Sequence, residues 1–196
     1  MTRKHEISPA DLLAPEAYAA ERAARRRAAI ALKRTRRVEV GPFVTFHFEN
    51  FETMRFQVQE MLHIERGGAA QLADELAAYN PLIPQGRELV ATFMIEIDDA
   101  ERRKRLLAGL GGIEESVFLS LHGETVNARP EQDQDRTSAA GKASSVQFVH
   151  FPFTPRQIDL FRTPDTEIVL GFRHPNYRHQ TVLPEPVRAA LARDFD

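Results

Sequence analysis

Apolar residues recur at two different spacings along this chain, and the switches between them mark its elements. Between Phe51 and Arg66, the residues Phe51, Met54, Val58, Met61 and Leu62 recur every three or four positions, which predicts a helix with one buried stripe. Gly67-Gly68 follows and reads as its left-handed stop. Upstream, Val44, Phe46 and Phe48 alternate with Thr45, His47 and Glu49, so Val38–Val40 and Phe43–Phe48 are expected to be strands around a Gly41-Pro42 turn. Glu88–Ile97 is the strongest strand, with apolar residues on both faces, and is expected to lie centrally. Further strands are expected at Ser116–Leu121, Ser145–Phe151 and Glu167–Phe172.

Helices are predicted over Pro15–Thr35, Ala69–Tyr79, Asp98 to about Leu107, from the Thr154-Pro155-Arg156-Gln157 capping box, and over Pro184–Asp194. Ser8-Pro9-Ala10-Asp11 reads as another helix start. In the long first helix, Ala17, Ala20, Ala24, Ala28 and Ala31 form a smooth stripe expected to pack, and Arg22, Arg25, Arg26, Lys33 and Arg36 a stripe expected to be solvated. The polar stretch 127–143 is expected to be a flexible loop. The order of elements predicts an α+β fold in one domain, 1–196, with about five mostly antiparallel or mixed strands, flanking helices and a long N-terminal helix.

Composition narrows the chemistry. The absence of cysteine excludes disulfides, thiolate metal sites and a cysteine nucleophile. No glycine-rich phosphate loop follows a strand, and no Gly-x-Ser-x-Gly elbow or His-Glu-x-x-His motif occurs. The polar start Met1–Glu6 lacks an apolar signal-peptide core, so a cytoplasmic protein without a membrane span is expected. The net charge of −2 hides an asymmetry: residues 1–37 hold ten Lys/Arg against four Asp/Glu, and the rest sixteen against twenty-four. The basic helical segment 1–36 therefore offers one functional reading, binding of nucleic acid or another polyanion, which the acidic remainder disfavours.

The other reading is a small-ligand or metal site. Continuing the helical wheel from Phe51 places Glu65 in the apolar stripe, where an ionised carboxylate needs a partner. Glu60 and His63 fall on the opposite face with Phe56 and Ile64, so that face is expected to meet another element or a second subunit. The Glu60-x-x-His63 spacing matches half of a di-iron carboxylate motif, and no second copy occurs. His47, Glu49, Glu96 and His150 could supply a two-His, one-carboxylate set for iron, manganese or zinc. The cluster Gly171-Phe172-Arg173-His174-Pro175-Asn176-Tyr177-Arg178-His179 could bind a phosphate or carboxylate, or a metal. The candidate ligand-binding residues are thus Glu65, Glu96, Arg55, His174 and Tyr177, and the candidate metal pair is Glu60 with His63.

Several segments in order carry a family resemblance. They are Tyr18…Arg22…Arg26, Lys33-Arg34-x-Arg36-Arg37-Val38, Val40-Gly41-Pro42, Phe48-Glu49…Gln57-Val58-Gln59-Glu60-Met61-Leu62…Glu65-Arg66, Tyr79-Asn80-Pro81-Leu82-Ile83-Pro84, Ala91-Thr92-x-Met94-Ile95-Glu96-Ile97 and His174-Pro175-x-Tyr177. Over nearly its full length the chain resembles the uncharacterised bacterial family called domain of unknown function 3501. The resemblance implies an accessory role in a redox or peroxide-stress setting, with an iron–sulfur or rubrerythrin-like redox partner. The chain departs from the family pattern at His63, where arginine is usual. A homo-oligomer is the expected assembly.

Overall fold

Two antiparallel sheets packed face to face form the centre of the molecule, with helices layered on one outer face and at the ends. The computed structural model describes residues 4–131 and 142–196. The first sheet contains β1 (Arg37–Val40), β2 (Val44–Glu49), β3 (Glu88–Ile95), β6 (Arg129–Pro130) and β7 (Val146–Pro152), in the order β1-β2-β3-β7-β6. The second contains β4 (Val117–Leu121), β5 (Glu124–Asn127), β8 (Ile168–Phe172) and β9 (Gln180–Val182), in the order β5-β4-β8-β9. The chain is therefore α+β with antiparallel pairing, as its pattern predicts, and β3 is the central strand of the five-stranded sheet. The added strands β5, β6 and β9 are short, two to four residues each, too few for alternation to reveal them.

Alternation along the strands builds the core. Phe46, Phe48, Leu89, Ala91, Phe93, Val149 and Phe151 of the first sheet meet Val117, Leu119, Leu121, Ile168, Leu170 and Phe172 of the second. The Phe172 ring lies 5.4 Å from Phe46 and 5.5 Å from Phe93, edge and tilted contacts that favour aromatic packing. Helices α5 (Pro155–Arg162) and α6 (Glu185–Leu191) close this core with Ile158, Phe161, Val187 and Leu191, and α4 (Ala100–Ala108) adds Leu107.

The helical layer consists of α1 (Pro15–Arg34), α2 (Phe51–Glu65) and α3 (Gly68–Tyr79). Asn50 caps α2 by accepting from the Thr53 N–H at 3.0 Å, and Thr53 Oγ1 accepts from the Asn50 N–H at 2.9 Å. Met54 and Val58 of α2 then pack with Ile7, Leu82, Ile83 and Val90, a second core on the outer face of the five-stranded sheet. The Ser8–Asp11 signal produces a single 3-10 turn rather than a helix. The stop of α2 is Arg66 in the left-handed conformation (φ 56°), while Gly67 stays at φ −78°.

The stripes of α1 are reversed relative to expectation. Tyr18 is its only buried residue, and Arg22, Arg25, Ala29 and Leu32 are half-buried. Ala17, Ala20, Ala24, Ala28 and Ala31 are exposed. The ion pair described below makes the arginine side the packed one. The expected loop over 127–143 is also corrected at its start, where β6 pairs with β7 and Glu131 N–H reaches Phe148 O at 3.1 Å. The rest of that expectation, at 132–141, lies outside the described residues. No described helix is long and apolar enough to cross a membrane.

Candidate functional site

The three outer helices and the segment before α1 enclose a groove of about 700 Å³. Gln59 shapes it. Its Oε1 accepts from the Leu13 N–H at 2.8 Å and its Nε2 donates to Leu13 O at 3.2 Å, so residues before α1 are laid along α2. Leu12, Leu13, Leu62 and Leu72 supply apolar walls, with Tyr18, His63 and Arg66 as polar groups and Glu16 on the α1 rim.

One polar cluster fixes α1 against α2 beside this groove. Glu60 accepts from Arg22 Nε and Nη2, both at 2.9 Å, and from the Tyr18 hydroxyl at 2.5 Å. Such a two-pronged guanidinium contact is directional and favours the ionised carboxylate. Arg22 chiefly, helped by Tyr18, outweighs burial and holds Glu60 at a pKa of about 2. Burial first, then the Glu60 carboxylate, pushes the Tyr18 phenol well above its ordinary range. The Tyr18 ring in turn takes the His63 ring edgewise, 5.6 Å between centroids. The His63 nitrogens and the Arg66 guanidinium make no hydrogen bond or ion pair among the described residues.

These positions correct several expectations. Glu65 is exposed, not buried: the last turn of α2 runs past the apolar patch that buries Met54 and Val58. It accepts from Gln71 Nε2 at 3.1 Å. Glu60 and His63 do share a face, but that face meets α1, and the carboxylate is already held by Arg22. A cation binding there would have to displace the guanidinium. Among the described residues no group of three or more His, Asp or Glu side chains is arranged to hold a metal ion.

The remaining candidates do not converge. Arg55 pairs with Glu52 at 2.5 Å and lies over the Phe51 ring. Glu96 is exposed and accepts from the Thr45 hydroxyl. His174 is buried, accepting from the Asn176 N–H at Nδ1 (3.2 Å) and so donating from Nε2 to Gly111 O (3.2 Å). The buried Tyr177 hydroxyl donates to Val40 O at 2.7 Å, and burial raises its pKa to about 12. His174 and Tyr177 therefore brace the loop after β8 and the edge strand β1, away from the groove. Glu49 is buried, accepting from Thr53 (2.7 Å) and Thr92 (2.9 Å). Burial pushes the His47 pKa down. His150 sits between Glu88 (3.1 Å) and Glu131 (2.9 Å); burial lowers its pKa, but the two carboxylates prevail and raise it.

Sequence reasoning missed the groove because Gln59, Leu12, Leu13 and Leu72 come from three separate segments. One signal was present: Tyr18 and Arg22 lie one helical turn apart, as two groups converging on one carboxylate require. Much of the basic N-terminal segment is spent internally. Arg22 pairs with Glu60, Arg25 with Glu21, Arg36 with Asp194 and Arg37 with Glu39.

The fold and site define an α+β protein with two stacked antiparallel sheets and a grooved helical layer. The chain belongs to the family described as Protein of unknown function (DUF3501), whose model matches residues 6–195. It is similar to a crystal structure from Burkholderia pseudomallei K96243, described as a novel protein of unknown function. The two are 35% identical with a TM-score of 0.90, over 97% of this chain and 99% of that one. None of the curated proteins compared with the chain matches it.

Proposed function

We propose that the chain is a small-ligand-binding protein whose groove between α1, α2 and α3 takes a largely apolar molecule with an anionic end. The observation that carries this reading is an apolar-walled groove lined by His63 and Arg66, which make no hydrogen bond or ion pair among the described residues. Concave apolar sites with a few convergent polar groups are the usual form of a small-molecule site. Leu12, Leu13, Leu62 and Leu72 would cover the body of the ligand, and Arg66 with His63 would meet its charge. The Tyr18–Glu60–Arg22 cluster would keep α1 at a fixed distance from α2, so that the groove is formed before the ligand arrives. The redox or peroxide-stress setting implied by the family resemblance is the context we propose for this binding, with the protein acting as an accessory and not as the redox catalyst.

Titration with 1-anilinonaphthalene-8-sulfonate, an apolar ring system bearing one sulfonate, tests the reading. We expect a saturable one-site fluorescence rise. Ala69→Trp, which fills the groove from its exposed α3 wall, is expected to weaken binding at least roughly tenfold. Arg66→Glu should weaken it by a smaller factor. Unchanged affinity in a folded Ala69→Trp protein would rule the groove out.

A further inference from the structure

The outer face of the four-stranded sheet carries a second hollow, of about 640 Å³, on the side of the molecule away from the helical layer. Phe118 and Ser120 of β4, Val169 of β8 and Gln180 of β9 form its floor, Arg173 and Arg178 supply its charge, and the His179 ring lies beside them. No carboxylate lines it, although the chain as a whole is net negative.

Two of the three basic groups are held in place. The Arg173 guanidinium lies 4.2 Å from the Phe118 ring centroid, and its Nη2 donates to Thr125 Oγ1 at 3.3 Å. That stacking and single hydrogen bond orient the planar group while leaving its other N–H donors free. The His179 ring rests on Tyr177, 4.5 Å between centroids, and against Gly41. A Cβ at Gly41 would come within 2.6 Å of His179 Cγ and of the Tyr177 hydroxyl. Glycine there, at φ 71°, is what admits both rings. Gly171 similarly lets Phe118 and Gln180 close over β8, where a Cβ would meet Gln180 Cβ at 2.8 Å. Arg173, Arg178 and His179 form no ion pair among the described residues. Two guanidiniums lining one hollow without a counter-charge repel one another, and an anion relieves that repulsion.

We propose that this hollow is a phosphate-binding site. Arg173 and Arg178 would clasp phosphate oxygens, with His179, the Gln180 amide and the Ser120 hydroxyl as further hydrogen-bonding groups. Arginine forks match the tetrahedral oxygens of phosphate better than they match a halide or a single hydroxyl. A single-stranded nucleic acid fits less well, because the Phe118 ring is already covered by Arg173 and Phe172 is buried in the core, so neither offers a free face for stacking a base.

The test is titration of the full chain with inorganic phosphate at low ionic strength, followed by heteronuclear NMR. We expect saturable shifts at Phe118, Ser120, Gly171 and Gln180 with a dissociation constant of about 1 mM or tighter. Arg173→Ala and Arg178→Ala should each weaken binding roughly tenfold, while the spectrum elsewhere stays native because both side chains are exposed. Arg173→Lys should fail to restore it, since a lysine offers no planar fork. Vesicles containing phosphatidate and a short oligouridylate serve as the other arms. Phosphate binding lost in the Arg173→Ala/Arg178→Ala protein supports the site. Shifts confined to other surfaces, unchanged binding in that double variant, or binding of vesicles or RNA without phosphate would overturn it. The groove is probed by a different ligand and different variants, so either site can fail alone.

Discussion

The outer faces of the two sheets are built by the same alternation and have opposite fates. On the five-stranded sheet the outward residues Val90, Thr92 and Glu49 are buried, Val90 under Met54 and Val58, and Glu49 and Thr92 bonded to each other. On the four-stranded sheet the outward residues include Gln180 and Val182, both exposed, and among the described residues no buried cluster covers them as Met54 and Val58 cover Val90. Period-2 patterning says which residues point outward. Whether those residues are apolar, or polar with mutual partners, says whether something covers them. The covered face carries the stabilising contacts and the groove; the open face carries unpaired cations.

That contrast can be broken most severely at the margin of the covered sheet. Arg36 is buried, donating to Phe48 O (2.8 Å) and Glu49 O (3.0 Å) and pairing with Asp194. Asp194→Ala leaves a buried guanidinium without its counter-charge, an expected loss of about 3 kcal/mol or more in urea unfolding. Next, Val58→Ala beneath α2 should cost about 1–2 kcal/mol by opening space in a closed cluster. Its counterpart on the open face, Val182→Ala, should stay within about 0.5 kcal/mol, because Val182 is 51% exposed. Equal losses at the two sites would erase the distinction.

A titration sharpens the same contrast on the covered side. The Glu60 pKa is depressed from 4.5 to about 2 in the folded chain. Its ionised form is therefore favoured by folding, and that stability is complete above about 4.5 and lost as pH falls toward 2. Glu60→Gln should lower the native melting temperature at pH 7 and flatten its decline across that acid window. A variant curve parallel to the native one would show that the cluster does not hold α1.

Much of this architecture was legible in the sequence, and the exceptions share a physical cause. The helix from Phe51 and the central strand from Glu88 fall where their periods predict, because each has a long run with one dominant environment. Glu65 was misread because a helical wheel assumes that the packed surface continues along the whole helix, whereas here the last turn extends beyond it. On α1 the wheel could not tell which stripe packs. An interface held by Tyr18, Arg22 and Glu60 looks like a solvated face until the second helix is present. The cluster from Arg173 to His179 was visible as a cluster, but not that its members part ways. Tyr177 and His174 turn inward, and Arg173, Arg178 and His179 remain outside. The isolated bridge between His174 and Tyr177 holds those two on the inner side of the connection from β8 to β9.

Tyr177 and Arg36 also set the order in which the chain can assemble. The Tyr177–Val40 hydrogen bond joins residues 137 positions apart, and Arg36 with Asp194 spans 158. Neither can form until distant segments have met, so closing such loops is an entropic barrier that local helix formation does not lower. The helical layer and the β1–β2 hairpin are local and can form early. The contacts that brace Arg36 and β1 therefore close only once the C-terminal residues arrive, and loosening the 3-10 turn Ala192–Asp194 is expected to leave the edge strand β1 less firmly held and easier for another chain to pair with.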